Sequence, residues 1–460
     1  MPPYRPLGET GLKCHPLGFG CYRIADGHRG QADALAAYLD RGGNLIDTSA
    51  NYMDGASETL VGKVLRGRSR DGVIVVTKGG YIQGQNMDLA RRCSFPEVVK
   101  YGDGIWHSIH PEFLAAQVEM STERLGLDHL DVYLLHNPEY YLEDIAHRRP
   151  LEQADHDEFY RRIAAAFRYL ETEVARGRIR WYGVSSNNYP LAASAPAHTS
   201  VARTLAAAES VSETHHFRVV QLPLNLYESG GAIESNNDGR TVLEYCRAKG
   251  MGVLANRPLN ASRRDRLVRL ADFVPPGQKA PGEEELRGIL EPVAEQERWF
   301  SRELGAPLMG GSGIAVSLLE ILPQVRSAAQ WEQAAGTLVI RPVQNWLLEC
   351  RRLYKGREKW NQWQDRFIPL LNETLERIHR HLAASQQVVS DLVRSRLVDE
   401  AGHPPTQQPL SRIALNVLLG LEGLSCVLVG MRRTDYVDDT LGALDLDRVE
   451  SLSILRRFAV

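Results

Sequence analysis

Apolar positions along this chain cluster in two ways. Short, nearly continuous runs occupy 17–20, 44–48, 73–78, 131–136, 180–185, 218–222, 252–256 and 426–430. Between them apolar positions recur every three or four residues, most clearly over 30–41, 57–66, 112–126, 157–177, 239–249 and 410–422. Runs of the first kind read as strands buried on both faces, as in a parallel sheet. Windows of the second kind read as amphipathic helices. Eight strands alternating with helices predict an α/β fold, a (β/α)8 TIM barrel. Ahead of the first strand, YRPLGETGLKCHPLGFG sets Gly8 and Gly11 around a turn between two short extended pieces, which predicts an N-terminal β-hairpin.

The alternation breaks once, between the seventh and eighth strands, where one loop and one helix would suffice. That segment opens polar and loop-like, SRRDRLVRLADFVPPGQKAPGEEE, and becomes strongly helical over 283–398. Trp360, Trp363, Phe367, Leu370, Thr374, Ile378 and Leu382 share one helical face, and Trp346, Cys350 and Leu353 form a second stripe. We expect two to four helices whose aromatic stripe packs a core rather than lines a ligand box. DEAGHPPTQQP at 399–409 reads as the return to the barrel. The expected organisation is therefore 1–261 for strands one to seven, 262–409 for a helical insertion, and 410–460 for barrel closure. A smaller expansion after Lys78, with little periodicity, falls over the C-terminal face of such a barrel.

Composition narrows the function classes. The chain is 43% hydrophobic and 24% charged with a formal net charge of -3, so it carries no electrostatic footprint for nucleic acid or an anionic membrane. Six cysteines lack any C-x-x-C spacing and read as reduced thiols. MPPYRPLGETGLK has no apolar signal-peptide core, and no apolar run approaches the ~20 residues of a membrane span. A cytoplasmic protein is expected. The H-x-x-H of WHSIH has no evident third ligand, so no metal is expected.

In a (β/α)8 barrel the reacting groups sit at the C-terminal strand ends. Asp47 ends the second strand with Tyr52 just behind it, Lys78 ends the third and His136 the fourth. A lysine ammonium beside a phenol favours the phenolate, and the carboxylate keeps that lysine charged. The histidine can hydrogen-bond a substrate oxygen. Such a set suits an acid–base group that gives a proton to a carbonyl oxygen or takes one from an alcohol.

These residues carry a resemblance. Asp47 and Tyr52 in DTSANY, Lys78 in VTKGG and His136 in YLLHNP resemble, in order and strand placement, the catalytic tetrad of the aldo-keto reductases. LGLDHLDVYLLH, WYGVSSNN, VQLPLNLY and VLVGMRRTDYVDDTLGALDL are similar to that family's flanking segments, over about 1–260 and 405–455. The resemblance implies NAD(P)H-dependent reduction of an aldehyde or ketone, or the reverse, by hydride transfer with Tyr52 as general acid. NADPH is preferred and NADH is the second candidate. The implied cofactor residues are Gly20, Cys21 and Tyr22 after the first strand; Ser185 with Ser186 or Asn187 after the fifth; Gln221 on the sixth; Asn256, Arg257, Pro258 and Leu259 after the seventh; and Gly430, Arg432, Arg433, Tyr436 and Asp439 near the adenosine end. Asn256 stands where many members have an aromatic that stacks on the nicotinamide. No G-x-G-x-x-G follows a strand, so a Rossmann site is not expected.

Trp106, His107 and Tyr140 are the expected substrate-pocket residues. The expected partner is a small carbonyl or alcohol, not nucleic acid or membrane. The helical insertion is expected to shape the pocket as a lid, or to build an oligomer. The alternative reading is a nicotinamide-nucleotide-binding regulatory or sensor protein on the same scaffold.

Overall fold

The computed structural model describes residues 4–263, 266–274, 282–325 and 328–459. The eight barrel strands are β1 (Leu17–Gly20), β2 (Leu45–Asp47), β3 (Ile74–Gly79), β4 (Leu130–His136), β5 (Ile179–Ser185), β6 (Phe217–Pro223), β7 (Gly252–Asn256) and β8 (Cys426–Val429). All pair in parallel with their sequence neighbours, and β8 closes on β1. The expected strands are all present, their ends shifted by at most one residue. A two-stranded hairpin, Arg5–Pro6 with Lys13–Cys14, precedes them, and its Leu7 and Cys14 join the core inside the barrel.

The period of two along each strand explains where the polar residues point. The interior is filled by Leu45, Ile74, Val76, Val132, Leu134, Val219, Leu254, Cys426 and Leu428. In five strands a polar residue comes two positions beyond the last apolar interior one: Asp47 after Leu45, Lys78 after Val76, His136 after Leu134, Gln221 after Val219 and Asn256 after Leu254. The uppermost interior layer is therefore polar while the layers beneath are apolar. Gly183 in β5 is required by crowding, since a Cβ there would meet the Val219 carbonyl oxygen at 1.8 Å.

The expansion after Lys78 is a folded element. Tyr81–Ile82, Val99–Gly102 and Ile105–His107 form an antiparallel sheet with the last strand in the middle, and helix Gln85–Cys93 accompanies it. Helices Tyr140–Ala146 and Val201–Glu209 were not expected either.

The chain divides into two compact units, 1–270 with 396–460, and 271–395. The helical unit is narrower than the expected 262–409. The supposed loop at its start includes an antiparallel hairpin, Asn260–Arg263 with Arg266–Arg269, that groups with the barrel; residues 275–281 of that loop lie outside the described residues. Within 271–395 the described residues form five α-helical stretches rather than two to four, the longest being Glu283–Leu304 and Glu358–Ser395. The aromatic stripe is core: Trp363 stacks on Phe367 at 4.3 Å and packs on Phe300 at 4.5 Å, and its indole N–H donates to the Gln296 carbonyl at 2.9 Å. Leu353 departs from its stripe and is 71% exposed. Glu297 is buried and accepts the amides of Ile314 and Ala315, satisfying the first turn of helix Ile314–Ile321. No described helix is long and apolar enough to cross a membrane.

Candidate active site

At the C-terminal mouth of the barrel the Lys78 side chain is fully buried. An isolated buried ammonium is costly and survives only when paired and hydrogen-bonded. Its three protons have three acceptors: the Asp47 carboxylate at 2.8 Å, the Thr48 carbonyl at 2.8 Å and the Tyr52 hydroxyl at 3.4 Å. Burial works against its charge, but Asp47 and the Tyr52 oxygen outweigh burial and raise its pKa. The ammonium also lies 4.9 Å from the Tyr52 ring centroid.

Tyr52 departs from the expected direction. Burial pushes its phenol up to about 12, the Asp47 charge adds to this, and the downward pull of Lys78 does not compensate. The phenol is therefore held protonated through the neutral range, as an acid toward a carbonyl oxygen must be. His136 lies beside it, ring centroids 5.8 Å apart. Burial, then Lys78 and His107, hold its pKa well below the usual histidine value, so this ring is neutral. The tyrosine loop is held from behind: Asp54 accepts the Gln85 amide, and the Gln85 side chain donates to the Asp54 carbonyl at 2.7 Å. Met53, Asp54 and Gly55 all have positive φ, a run that needs such support.

The other polar residues of the uppermost layer form a chain leading away from the acid. Gln221 donates to the Asp47 carboxylate at 2.8 Å, and its carbonyl oxygen accepts from Ser185 at 3.1 Å and from Asn256 at 3.2 Å. The Asn256 Oδ1 is buried without a hydrogen-bond partner among the described residues, an open acceptor beside the Gln221 amide. This donor and acceptor set fits a carboxamide such as that of nicotinamide, with Ser185, Gln221 and Asn256 as the residues that would hold it. Gly430 follows β8, and a Cβ there would meet nothing within 4 Å.

Not every expected residue reaches the mouth. Ser186 alternates outward and its hydroxyl bonds Thr199 at 2.9 Å, while the Asn187 backbone N–H donates to the Glu139 carboxyl and its side-chain oxygen accepts from Arg257 at 3.4 Å. The Cys21 side chain is buried, and only Tyr22, 63% exposed and edge-on to Tyr52 at 5.2 Å, borders the site from that turn. Arg257 pairs with Glu228 at 2.9 Å; Pro258 and Leu259 lead into the hairpin that follows, where the Leu259 carbonyl accepts from Leu270. Asp439 pairs with Arg412 at 3.0 Å and accepts the Ser411 hydroxyl, contacts that join helix Leu410–Leu419 to helix Thr434–Leu441. Arg433 precedes helix Thr434–Leu441, with its guanidinium on Asp435 at 2.9 Å and 5.3 Å from the Tyr436 ring; Arg432 is the half-buried residue before it.

Of the expected pocket residues, Trp106 is a correction. It packs with Ile82, Met87, Ala90 and Phe113 under the Lys100 ammonium, because strand alternation turns it away from its neighbour His107. His107 does reach the site: its Nε2 bonds the His136 carbonyl at 2.7 Å, and its ring stacks on Tyr140 at 5.5 Å. Burial drives its pKa down to about 4. His110 instead caps helix Pro111–Leu125. Sequence reasoning missed Tyr81, edge-on to His136 at 4.7 Å and bonded by Asn137 at 2.7 Å. It also missed Glu139, 1% exposed, whose Oε1 accepts from Asn187 while Oε2 has no partner among the described residues.

Comparisons with known proteins bear on the family and the fold. A model of the aldo/keto reductase family matches residues 16–297. The NADH-specific methylglyoxal reductase of Escherichia coli (strain K12) is 32% identical over 140 residues, 28% of this chain and 40% of that protein. The 6-dehydroglucose reductase of Novosphingobium aromaticivorans is 29% identical over 196 residues, 40% of this chain and 52% of that protein. The chain thus spans about half or less of the length of these curated relatives. An aldo-keto reductase structure from Bacillus halodurans, in its holo form, superposes with a TM-score of 0.50 at 16% identity, over 100% of this chain and 96% of that one, and shares the fold. With the family matched across more than half of its length, the chain belongs to the aldo/keto reductase family.

Proposed function

We propose that this protein is an NAD(P)H-dependent oxidoreductase that interconverts a carbonyl compound and its alcohol. The observation that carries this reading is the Tyr52 hydroxyl 3.4 Å from a buried, Asp47-paired Lys78, with a neutral His136 beside it at the mouth of the barrel. A bound reduced nicotinamide supplies hydride for the carbonyl carbon. Tyr52 supplies the proton: its O–H hydrogen-bonds the carbonyl oxygen and transfers as negative charge develops there. Lys78 stabilises the phenolate that remains, and Asp47 fixes Lys78. His136 hydrogen-bonds substrate alongside Tyr52. In the reverse direction the Tyr52 phenolate accepts the alcohol proton.

Ser185, Gln221 and Asn256 support a nicotinamide site, with amide hydrogen bonds in place of ring stacking at Asn256. Arg432 and Arg433 favour a 2′-phosphate, and so NADPH over NADH. The relatives named as reductases support the same class of reaction. The test is NADPH and NADH oxidation with aldehydes, ketones and sugars. Turnover that requires Tyr52 supports the reading, whereas cofactor binding without turnover across the panel favours a sensor.

A further inference from the structure

The hydroxyl of Ser49 is 1% exposed and has three polar neighbours. They are Asn51 Oδ1 at 2.7 Å, the Lys78 carbonyl at 3.3 Å and His136 Nδ1 at 3.0 Å. The first two only accept, and a hydroxyl has one proton. If that proton went to His136, two pairs of oxygen lone pairs would face each other in a buried site. Asn51 is turned this way by its other end, since its Nδ2 donates to Gln83 Oε1 at 3.2 Å. Gln83 belongs to the expansion after Lys78, in Y-I-Q-G-Q, whose Tyr81, Gln83 and Gln85 contact His136, Asn51 and Asp54 in turn.

We propose that Ser49, held by Asn51 and Gln83, keeps the proton of His136 on Nδ1 and so presents Nε2 to substrate as a hydrogen-bond acceptor. Ser49, Asn51 and Gln83 are positioning residues acting through His136. The consequence for specificity rests on the oxidoreductase reading above. A bare carbonyl oxygen gains nothing from an acceptor, whereas a hydroxyl on the neighbouring carbon donates to it. With the Tyr52 and His136 rings 5.8 Å apart, one small molecule spans both. Its carbonyl oxygen takes the Tyr52 proton, and its hydroxyl donates to His136 Nε2. The preferred substrates are then α-hydroxy carbonyl compounds, or vicinal diols in the reverse direction.

Nitrogen-15 spectra of the histidine-labelled full chain read the tautomer directly, with His136 assigned by its loss in His136→Gln. We expect the proton on Nδ1 and a bare Nε2 in the wild type. In Asn51→Leu the Ser49 hydroxyl keeps only the longer contact to the Lys78 carbonyl at 3.3 Å, so donation to Nδ1 at 3.0 Å takes over and the proton moves to Nε2. Ser49→Ala, which removes the partner of Nδ1, gives the same shift, and Asn51→Asp retains the wild-type pattern. A wild-type proton on Nε2, or a pattern unchanged in both Asn51→Leu and Ser49→Ala, overturns the relay. For specificity, kcat/KM is compared for 2-hydroxypropanal and propanal. One neutral hydrogen bond predicts roughly a five-fold preference for the hydroxy aldehyde, lost in Asn51→Leu. Equal values in the wild type overturn the substrate assignment. Absence of turnover with both aldehydes counts against the oxidoreductase reading, and the spectra still decide the relay.

Discussion

Glu139 offers a test of the buried electrostatics beside the site. Its carboxyl is 1% exposed, and burial pushes its pKa from 4.5 up to about 8, against the opposing hydrogen bonds from its own amide and that of Asn187. The folded protein therefore binds a proton that the unfolded chain has released throughout the window from 4.5 to about 8. A raised carboxyl pKa makes stability complete below 4.5, and the contribution is lost as pH rises to about 8. At 1.36 kcal/mol per pH unit, the loss between pH 5 and pH 8 is of order 3–4 kcal/mol. Glu139→Gln mimics the protonated acid: its amide oxygen still accepts from Asn187, and its NH2 replaces the buried carboxyl O–H. The assay is urea unfolding of wild type and Glu139→Gln at both pH values, following the barrel transition. Taking the difference between the two proteins cancels every other titrating group. The variant is expected to gain ~3 kcal/mol relative to wild type on going from pH 5 to pH 8, with little difference at pH 5. Parallel pH dependences for the two proteins would refute the reasoning.

Further predictions follow from the same contacts. Lys78→Met leaves the Asp47 carboxylate buried without its cation, so unfolding measurements should show a loss of about 3–5 kcal/mol, and reductive turnover should disappear. Asn256→Ala removes an acceptor assigned to the nicotinamide amide; quenching of protein fluorescence by NADPH should show roughly five-fold weaker binding, equivalent to about one hydrogen bond. Trp363→Ala deletes a ring that is 1% exposed and stacked on Phe367, and calorimetry should register a loss of ~3–5 kcal/mol from the transition of the helical unit. Because the Tyr52 phenol is held up to about 12, the rate of carbonyl reduction should show no loss of its proton donor between pH 6 and pH 9 in a pH–rate profile.

The barrel was legible because each strand is an apolar run too short for a helix, and the runs alternate regularly with helical windows. The tetrad was legible for the same reason: Asp47, Lys78 and His136 each interrupt such a run at its end. What the pattern did not carry was direction. Trp106 and His107 are adjacent, and strand alternation sends one into a satellite core and the other to His136. Ser186 was drawn to the cofactor by its neighbourhood in WYGVSSNN, yet its parity puts it on the outer face. The sign of the Tyr52 shift was also out of reach, since a neighbouring ammonium and burial act in opposite directions and only the packed site shows that burial wins. Tyr81 and Gln83 were missed because their segment has little apolar periodicity. The Y-I-Q-G-Q alternation directly after a candidate lysine was the available signal. The helical segment was recognised by its stripes, but its ends were not, since the hairpin from Asn260 to Arg269 is short and highly charged.

The central claim is that Tyr52 delivers the proton in a nicotinamide-dependent carbonyl reduction. The most direct measurement is NADPH oxidation, followed at the nicotinamide absorbance, by wild type and Tyr52→Phe on the same aldehyde, with NADPH affinity measured for both. The account predicts that Tyr52→Phe binds NADPH as the wild type does and loses turnover by ~100-fold or more. Wild-type turnover in Tyr52→Phe would contradict it.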